Sequence, residues 1–178
     1  MYYGTGGGKT ANALGLALRS VGHCKNVVII QFLKWKADTG ECLIKDQLKP
    51  YYEIYQFGRE AWLGEKDTVA EFGGEKFSVE SVNSQDKAIA QKALEFARAV
   101  LKKKPHLLVL DEINLAAQWK LLSVDDVLEL LDNVPEETTV VMTGRLAPKG
   151  LIDRADFVNV VQEVKAPKHF KLTQGIQY

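Results

Sequence analysis

The sequence predicts an α/β protein whose open, mostly parallel sheet carries helices on both faces. The prediction starts from short runs that are almost continuously apolar, a pattern typical of parallel strands that are buried on both faces. These runs are residues 27–32, 107–111, 138–142 and 157–161. Segments with helical periodicity lie between them, and strands that alternate with helices favour this class of fold.

The helices are predicted from the spacing of apolar residues and from capping signals. Apolar residues recur along one face of 10–21 and of 86–103, as they do in amphipathic helices. A further helix is expected to begin at Ser123, whose spacing to Asp126 resembles a capping box, and to continue through Leu131 before Pro135.

Length and composition indicate one ordinary globular domain over residues 1–178. The 178 residues are 46% hydrophobic and 26% charged, which suffices for a core and excludes a disordered or disulfide-stapled chain. Lys and Arg number 23, as do Asp and Glu, so we expect no nucleic-acid partner. No window approaches the roughly 18 apolar residues of a membrane span, so we expect no membrane partner and a cytoplasmic location. Cys24 and Cys42 are expected to stay reduced there, without a zinc site.

Residues 35–84 interrupt the alternation of strands and helices. The segment is rich in Gly, Lys, Glu and aromatic residues and shows no sustained period. An irregular stretch of this length inside a compact domain is typical of a lid or binding loop, and a poorly ordered surface insertion is the alternative.

The strongest motif is the glycine-rich stretch YGTGGGKT at residues 3–10, where a helix is expected to begin. Such a loop turns its backbone N–H groups around phosphate oxygens, Lys9 adds a cation, and Thr10 offers a hydroxyl to Mg²⁺. The loop residues are Gly4, Thr5, Gly6, Gly7 and Gly8. We interpret the motif as a P-loop in which Tyr3 replaces the first glycine. The alternative is a flexible glycine turn followed by an unrelated Lys-Thr pair.

Two further motifs follow predicted strands. Asp111 ends the apolar run 107–111, and Glu112 follows it directly. A P-loop protein holds its metal at such a strand end, so both carboxylates are candidate Mg²⁺ ligands. A carboxylate that caps the next turn is the alternative. Arg145 follows the run 138–142 and can reach a polyphosphate with two hydrogen bonds. These ends are expected at one edge of the sheet, which predicts the P-loop NTPase (RecA-like) architecture.

In order and spacing, these motifs resemble the P-loop type of ATP:cob(I)alamin adenosyltransferase. The resemblance runs over the whole chain and is weakest in 35–84. It is carried by residues 4–10, 13–19, 31–34, 40–41, 110–114, 143–148, 151–152, 155–156, 168–169 and 175–176. A departure is Gly7, where this family usually has a lysine.

The resemblance implies transfer of the 5′-deoxyadenosyl group of ATP to the Co(I) of cobalamin or a precursor corrinoid. Triphosphate would be the leaving group. The loop amides, Lys9, Arg145 and Mg²⁺, or Mn²⁺ in its place, would stabilise the charge on that group. It further implies that 35–84 faces the corrinoid, that a flavodoxin- or flavin-type reductase supplies the electron, and that the protein is a homodimer.

The resemblance also implies roles for residues outside the main motifs. Phe57 and Trp62 are candidates for excluding the axial ligand of the corrinoid, and packing of a small satellite core is the alternative. Glu41 and Asn114 match family positions near the nucleotide and the metal. Arg19 is a candidate contact for the ribose or base, and a helix-end partner of the macrodipole is the alternative.

Other functions use the same motifs. A P-loop ATPase or nucleoside kinase would release ADP, whereas adenosylation releases triphosphate. A non-catalytic nucleotide or corrinoid carrier is a second alternative, against which the complete set of Lys9, Thr10, Asp111 and Glu112 argues.

Overall fold

The central sheet contains six parallel strands, which confirms the predicted open parallel α/β fold. A computed structural model describes residues 1–59, 69–72, 75–78, 83–167 and 173–176. The strands of the sheet are β1 (Tyr2–Tyr3), β2 (Val27–Phe32), β3 (Tyr52–Phe57), β6 (Leu107–Asp111), β7 (Thr139–Gly144) and β8 (Asn159–Val160). Their order is β3-β2-β6-β7-β1-β8, and β4 (Val69–Phe72) and β5 (Glu75–Ser78) form a separate antiparallel pair.

Helices cover both faces of this sheet. They are α1 (Lys9–Gly22), α2 (Gly40–Leu43), α3 (Ser84–Leu101), α4 (Ile113–Gln118), α5 (Val124–Asp132) and α6 (Lys149–Arg154), with a 3₁₀ turn at Ile44–Asp46. No helix in the described part of the chain is long and apolar enough to cross a membrane.

Strand β2 shows how the two faces are built. All six of its residues are buried, and successive side chains point to opposite faces. Ile29 packs in the cluster that contains Ala13 and Ala17 of α1, whereas Ile30 and Phe32 pack in the cluster that contains α3. The continuous apolar run therefore reflects burial on both faces, as predicted.

The predicted strands differ in how well their bounds match the structure. The runs 27–32 and 107–111 are strands with those bounds. The run 138–142 forms a strand that continues to Gly144, and the run 157–161 forms a strand only at Asn159–Val160. This last strand is short because it lies at the edge of the sheet and pairs only with the two residues of β1.

The expectation that 35–84 lacks regular structure was wrong for part of the segment. β3 pairs with β2 in register along six residues, from Val27 opposite Tyr52 to Phe32 opposite Phe57. Polar residues alternate with apolar ones in β3 because it is an edge strand, so it lacks the continuous apolar pattern of β2. Its interpretation as a corrinoid-facing lid stays a prediction.

The start of α3 is fixed by a capping box that also carries an ion pair. Asn83 Oδ1 accepts from the backbone N–H of Asp86 at 3.2 Å, and Asp86 Oδ2 accepts from the N–H of Asn83 at 3.0 Å. Arg59 Nε donates to Asp86 Oδ1 at 2.6 Å. The Asp86 side chain is 3% exposed, and although burial acts in the opposite direction, Arg59 and the Asn83 amide hold the pKa of Asp86 below its usual value.

We expect Asp86→Asn to lower the free energy of unfolding at pH 7 by about 2 kcal/mol, the contribution typical of charge-assisted hydrogen bonds. Because the folded-state pKa is depressed, this stabilisation is complete above about pH 5 and disappears as the pH falls through the folded-state pKa. Urea unfolding at a series of pH values measures it. Asp153→Asn is the control, because its exposed pair with Lys149 contributes little. A constant difference between wild type and Asp86→Asn down to pH 2 would contradict the prediction.

Candidate functional site

The parallel strands bring their carboxyl ends to one edge of the sheet, where the predicted motifs meet. Thr10, which follows the glycine loop after β1, donates from Oγ1 to Asp111 Oδ1 at 2.9 Å. Thr143 near the end of β7 donates to the same oxygen at 2.6 Å. Residues far apart in the chain are thus joined at one carboxylate, as the predicted arrangement of strand ends requires.

The glycine loop has the backbone that its sequence predicts. Gly4 and Gly8 adopt φ of 122° and 92°, which side chains disfavour. The Gly4 N–H donates to the Arg145 carbonyl at 3.1 Å, and the Gly6 N–H donates to the Val161 carbonyl at 2.9 Å. The chain after β8 therefore supports one side of the loop.

Gly6 and Gly7 differ in what surrounds them. A Cβ at Gly6 would lie 2.8 Å from the carbonyl carbon of Gln162 and 3.0 Å from Glu163 N, whereas a Cβ at Gly7 would meet nothing within 4 Å. Gly6 is therefore required by packing, and Gly7 borders open space.

We expect Gly6→Ala to lower the free energy of unfolding by about 1–3 kcal/mol, because the methyl group must displace backbone atoms. Gly7→Ala is the matched control, and its unfolding free energy should stay within about 0.5 kcal/mol of wild type. Chemical denaturation without nucleotide measures both. Equal destabilisation by the two substitutions would show that the contact with 162–163 does not support the loop.

Lys9 begins α1 and is buried, with 6% of its surface exposed. Its ammonium donates to the carbonyl of Gly6. Burial lowers the pKa of Lys9, and the nearby Arg145 and Lys34 act in the same direction, while Glu112 and Asp111 oppose them. The Lys9 ammonium is thus shielded from water, and its attraction to an anion is stronger there than in bulk water.

Asp111 is the centre of the hydrogen-bond network. It is fully buried, and both carboxylate oxygens accept hydrogen bonds. Oδ1 accepts from Thr10 and Thr143, and Oδ2 accepts from Gln31 Nε2 at 3.1 Å and Lys34 Nζ at 2.7 Å. Burial raises the pKa of Asp111, but Lys34 and the two hydroxyl donors outweigh it and hold the pKa below its usual value. The buried carboxylate therefore stays ionised.

Glu112 lies next to Asp111 in a strained backbone conformation. Its φ is 65°, which is unusual for a residue with a side chain, and such strain persists at functional sites. Its N–H donates to Thr143 Oγ1 at 2.9 Å, while its Oε2 is buried without a hydrogen-bond partner among the described residues. Burial and the charge of Asp111 raise the pKa of Glu112. Its unpartnered oxygen is free to take a cation or a donor from a ligand.

Two glutamine amides, Gln31 and Gln56, hold Asp111 in position from the side of β2 and β3. Gln31 is fully buried and donates to Glu41 Oε1 at 3.2 Å as well as to Asp111. Gln56 Nε2 on β3 donates to Gln31 Oε1 at 2.8 Å. Sequence reasoning had not assigned a site role to Gln31, Lys34 or Thr143. A glutamine within a buried strand was the available signal, because such a side chain needs partners there.

A cavity of about 870 Å³ opens beside the loop, within the size of ordinary ligand sites. Its polar wall includes Lys9, Thr10, Lys34, Glu112 and Arg145. Its other wall is mainly apolar and includes Leu14, Leu18, Ile44, Leu48 and Tyr52. Arg145 lies across the loop, with Nη1 at 3.4 Å from the Thr5 carbonyl. The cavity thus combines a cationic end with an apolar end.

Other predicted site residues are distributed unevenly around this cavity. Glu41 lines it, whereas Arg19 lies exposed in the last turn of α1. Asn114 is fully buried at the start of α4, and within the part of the chain that the structure describes neither Oδ1 nor Nδ2 has a hydrogen-bond partner. Phe57 packs on Phe96 of α3 with ring centroids 5.6 Å apart, on the sheet face opposite α1. Trp62 lies outside the described residues.

The sequence is similar to known proteins over its full length. Residues 1–178 match the model of the family described as ATP:corrinoid adenosyltransferase BtuR/CobO/CobP. A corrinoid adenosyltransferase of a Sinorhizobium species is 30% identical and covers 98% of this chain and 77% of its own length. Relatives named corrinoid adenosyltransferase in Pseudomonas aeruginosa and corrinoid adenosyltransferase CobA in Salmonella typhimurium are 32% and 30% identical over 100% of this chain. The matches cover 82% and 84% of those relatives.

Proposed function

The chain belongs to the ATP:corrinoid adenosyltransferase family BtuR/CobO/CobP, and on this premise we propose how its site performs the transfer. The observation that carries the proposal is one cavity whose polar end contains the glycine loop, the cations Lys9, Lys34 and Arg145 and the carboxylate of Glu112, which directly follows the buried Asp111. Because the family match spans the whole chain, the predicted activity and the ATP and corrinoid substrates follow from membership.

The reaction is a displacement at the 5′ carbon of the ribose of ATP. The electron pair of Co(I) forms the cobalt–carbon bond, and the pair of the C5′–O5′ bond leaves with triphosphate. Cob(I)alamin or a precursor corrinoid is the proposed acceptor. The site therefore has to stabilise a leaving group whose charge increases in the transition state.

We assign the triphosphate to the loop and its two cations. The backbone of residues 4–8 and the start of α1 offer N–H groups to anionic oxygens. Lys9 and Arg145 line the same cavity. In this buried site their charges interact with phosphate more strongly than they would in water, so they are the proposed catalytic cations.

The donor set beside the loop fits Mg²⁺. The hydroxyl of Thr10 and the carboxylates of Asp111 and Glu112 are the hard oxygen ligands that Mg²⁺ prefers. The buried, unpartnered Oε2 of Glu112 is an oxygen that such an ion would satisfy. When bound, Mg²⁺ would neutralise part of the triphosphate charge, and Mn²⁺ could take its place. Thr143 and Gln31 would hold Asp111 in position.

The remaining assignments have unequal support. Glu41 lines the cavity, so we propose it as a nucleotide contact. Asn114 and Arg19 do not line the cavity. Their predicted roles toward the nucleotide stay proposals. Phe57 and Trp62 keep the predicted role of excluding the axial corrinoid ligand, although the packing of Phe57 on Phe96 equally fits a core residue.

We further propose the partners that this chemistry requires. Reduction of Co(II) to Co(I) needs an electron donor, for which a flavodoxin- or flavin-type reductase is proposed. A homodimer in the cytoplasm is proposed as the working form. Sedimentation of the purified protein at several concentrations tests the dimer.

Products distinguish the proposed function from nucleotide hydrolysis. We expect protein, ATP, Mg²⁺ and chemically reduced cobalamin to give the spectrum of the alkylated corrinoid together with an equal amount of triphosphate. Lys103→Met removes an exposed lysine that lies outside the cavity and outside residues 35–84, so it serves as the control and should retain this activity. Formation of ADP and phosphate without alkylated corrinoid would overturn the proposal.

A further inference from the structure

Lys34 lies just beyond the end of β2, and its ammonium contacts two of the oxygens proposed above as metal ligands. Nζ donates to Asp111 Oδ2 at 2.7 Å and to Thr10 Oγ1 at 3.2 Å. The side chain of Lys34 is 29% exposed and that of Asp111 is 1% exposed. The position beside these oxygens is therefore one that attracts and holds a cation.

The backbone next to Lys34 is held in a strained conformation by neighbouring residues. Leu33 adopts φ of 63°, which is strained for a residue with a side chain, and its N–H donates to the Phe57 carbonyl at 2.8 Å. Gly58 approaches so closely that a Cβ there would lie 2.6 Å from Lys34 N. Strain of this kind persists only where neighbouring structure enforces it. The turn after β2 thus fixes where the Lys34 side chain begins.

The two lysines of the cavity have different partners. Lys9 donates to the Gly6 carbonyl within the loop, whereas Lys34 forms the ion pair with Asp111. Lys34 is thus the cation that balances the buried carboxylate.

Lys34 and a divalent cation would compete for the same oxygen ligands. Lys34 already takes lone pairs of the Asp111 carboxylate and of Thr10 Oγ1, the groups assigned to the divalent cation, and the like charges of the ammonium and the metal ion would repel strongly in a buried site. Lys34 also lines the cavity beside the loop, so its ammonium has another anion within reach when triphosphate is present.

We propose that the Lys34 ammonium occupies the metal site as its counter-cation when no metal is bound. When a divalent cation binds Asp111 and Thr10, the ammonium moves away from them and contacts the triphosphate. The proposal rests on the metal ligands assigned under the proposed function. It gives Lys34 a positioning role, because metal binding becomes favourable only when the nucleotide supplies a new partner for the ammonium. Metal and nucleotide are thereby coupled through one side chain.

Mn²⁺ binding without nucleotide or corrinoid tests the proposal, with free Mn²⁺ followed by electron paramagnetic resonance. We expect Lys34→Met to bind Mn²⁺ about 10- to 100-fold more tightly than wild type, within the usual range of site coupling. Lys34→Arg keeps the charge and should bind as weakly as wild type. The control Lys103→Met should also match wild type. Adding Thr10→Val to Lys34→Met should remove the gained Mn²⁺ affinity if the ion occupies the assigned site.

Thermal unfolding gives a second readout. In EDTA, Lys34→Met should melt about 10 °C below wild type, because a buried carboxylate loses its partner. Millimolar Mn²⁺ should restore most of this loss in the variant while changing wild type little. If Lys34→Met does not fold, Lys34→Gln carries the same expectations, since its amide can still donate to Asp111.

Several outcomes would overturn the role of Lys34. One is equal Mn²⁺ affinity in wild type and Lys34→Met, including the case in which the variant is destabilised, since Lys34 would then be a structural ion pair alone. Another is gained Mn²⁺ binding that survives Thr10→Val. Failure of the proposed function is seen separately, as absence of triphosphate formation by wild type with ATP and reduced cobalamin.

Discussion

Replacing Lys9 with methionine is expected to lower kcat for adenosylation by about 10²–10³-fold, the usual cost of removing one preorganised charge or donor from a transition state. Lys9 is buried and lines the cavity beside the loop, so water cannot replace its charge efficiently. Methionine keeps the length and apolar volume of the stem, which limits the effect on packing. Steady-state release of triphosphate measures the loss.

Two controls separate the charge of Lys9 from the stability of the loop. The unfolding midpoint of Lys9→Met without nucleotide should stay near that of wild type, because the removed ammonium is partly desolvated and donates to a backbone carbonyl rather than to a charged partner. Lys103→Met should keep wild-type kcat, since Lys103 is exposed and lies outside both the cavity and residues 35–84. A Lys9→Met enzyme with normal kcat would remove Lys9 from the catalytic assignment.

Asp111→Asn is expected to cause the largest loss of stability among single carboxylate substitutions at this site. We expect the free energy of unfolding at pH 7 to fall by about 3–4 kcal/mol, because breaking a buried pair leaves Lys34 without its partner. Both Asp111 oxygens accept hydrogen bonds, so the amide N–H₂ of the new asparagine would point at groups that are themselves hydrogen-bond donors, and those donors would lose their acceptor. Urea unfolding without nucleotide measures the effect.

Glu112→Gln is the matched control for Asp111→Asn. The two carboxylates are adjacent, but the pKa of Glu112 is raised by burial and by Asp111, whereas the pKa of Asp111 is lowered. A raised carboxyl pKa means that the charged form is disfavoured in the folded protein, so a neutral glutamine should leave stability at pH 7 unchanged or higher. Equal destabilisation by both substitutions would contradict the assignment of Asp111 as the anchored carboxylate.

The contrast between these two residues shows a limit of sequence reasoning. Both carboxylates follow the same apolar strand, so the motif predicts them as equivalent metal ligands. Their environments differ because residues from β2, α1 and β7 converge on Asp111, while one Glu112 oxygen has no partner. The sequence cannot rank the two, since the ranking depends on contacts across the sheet.

Local features were predictable because they depend on neighbouring residues. The glycine loop and α1, the buried runs β2 and β6, and the Ser123 cap of α5 follow from spacing and composition, and the structure confirms them. Strand β3 was missed because an edge strand has polar positions that mask its pattern. The same limit applies to the last strand, whose partner β1 has only two residues.

By itself, the sequence determined the class of fold, the glycine loop and the two carboxylates at the end of β6, because each depends on a short stretch of the chain. Tertiary structure alone decided that Lys34 pairs with Asp111, that Gln31 links Asp111 to Glu41, and that Phe57 packs against α3. These contacts join residues far apart in the chain. They exist because parallel pairing brings separate strand ends together, where a buried charge must find its partner.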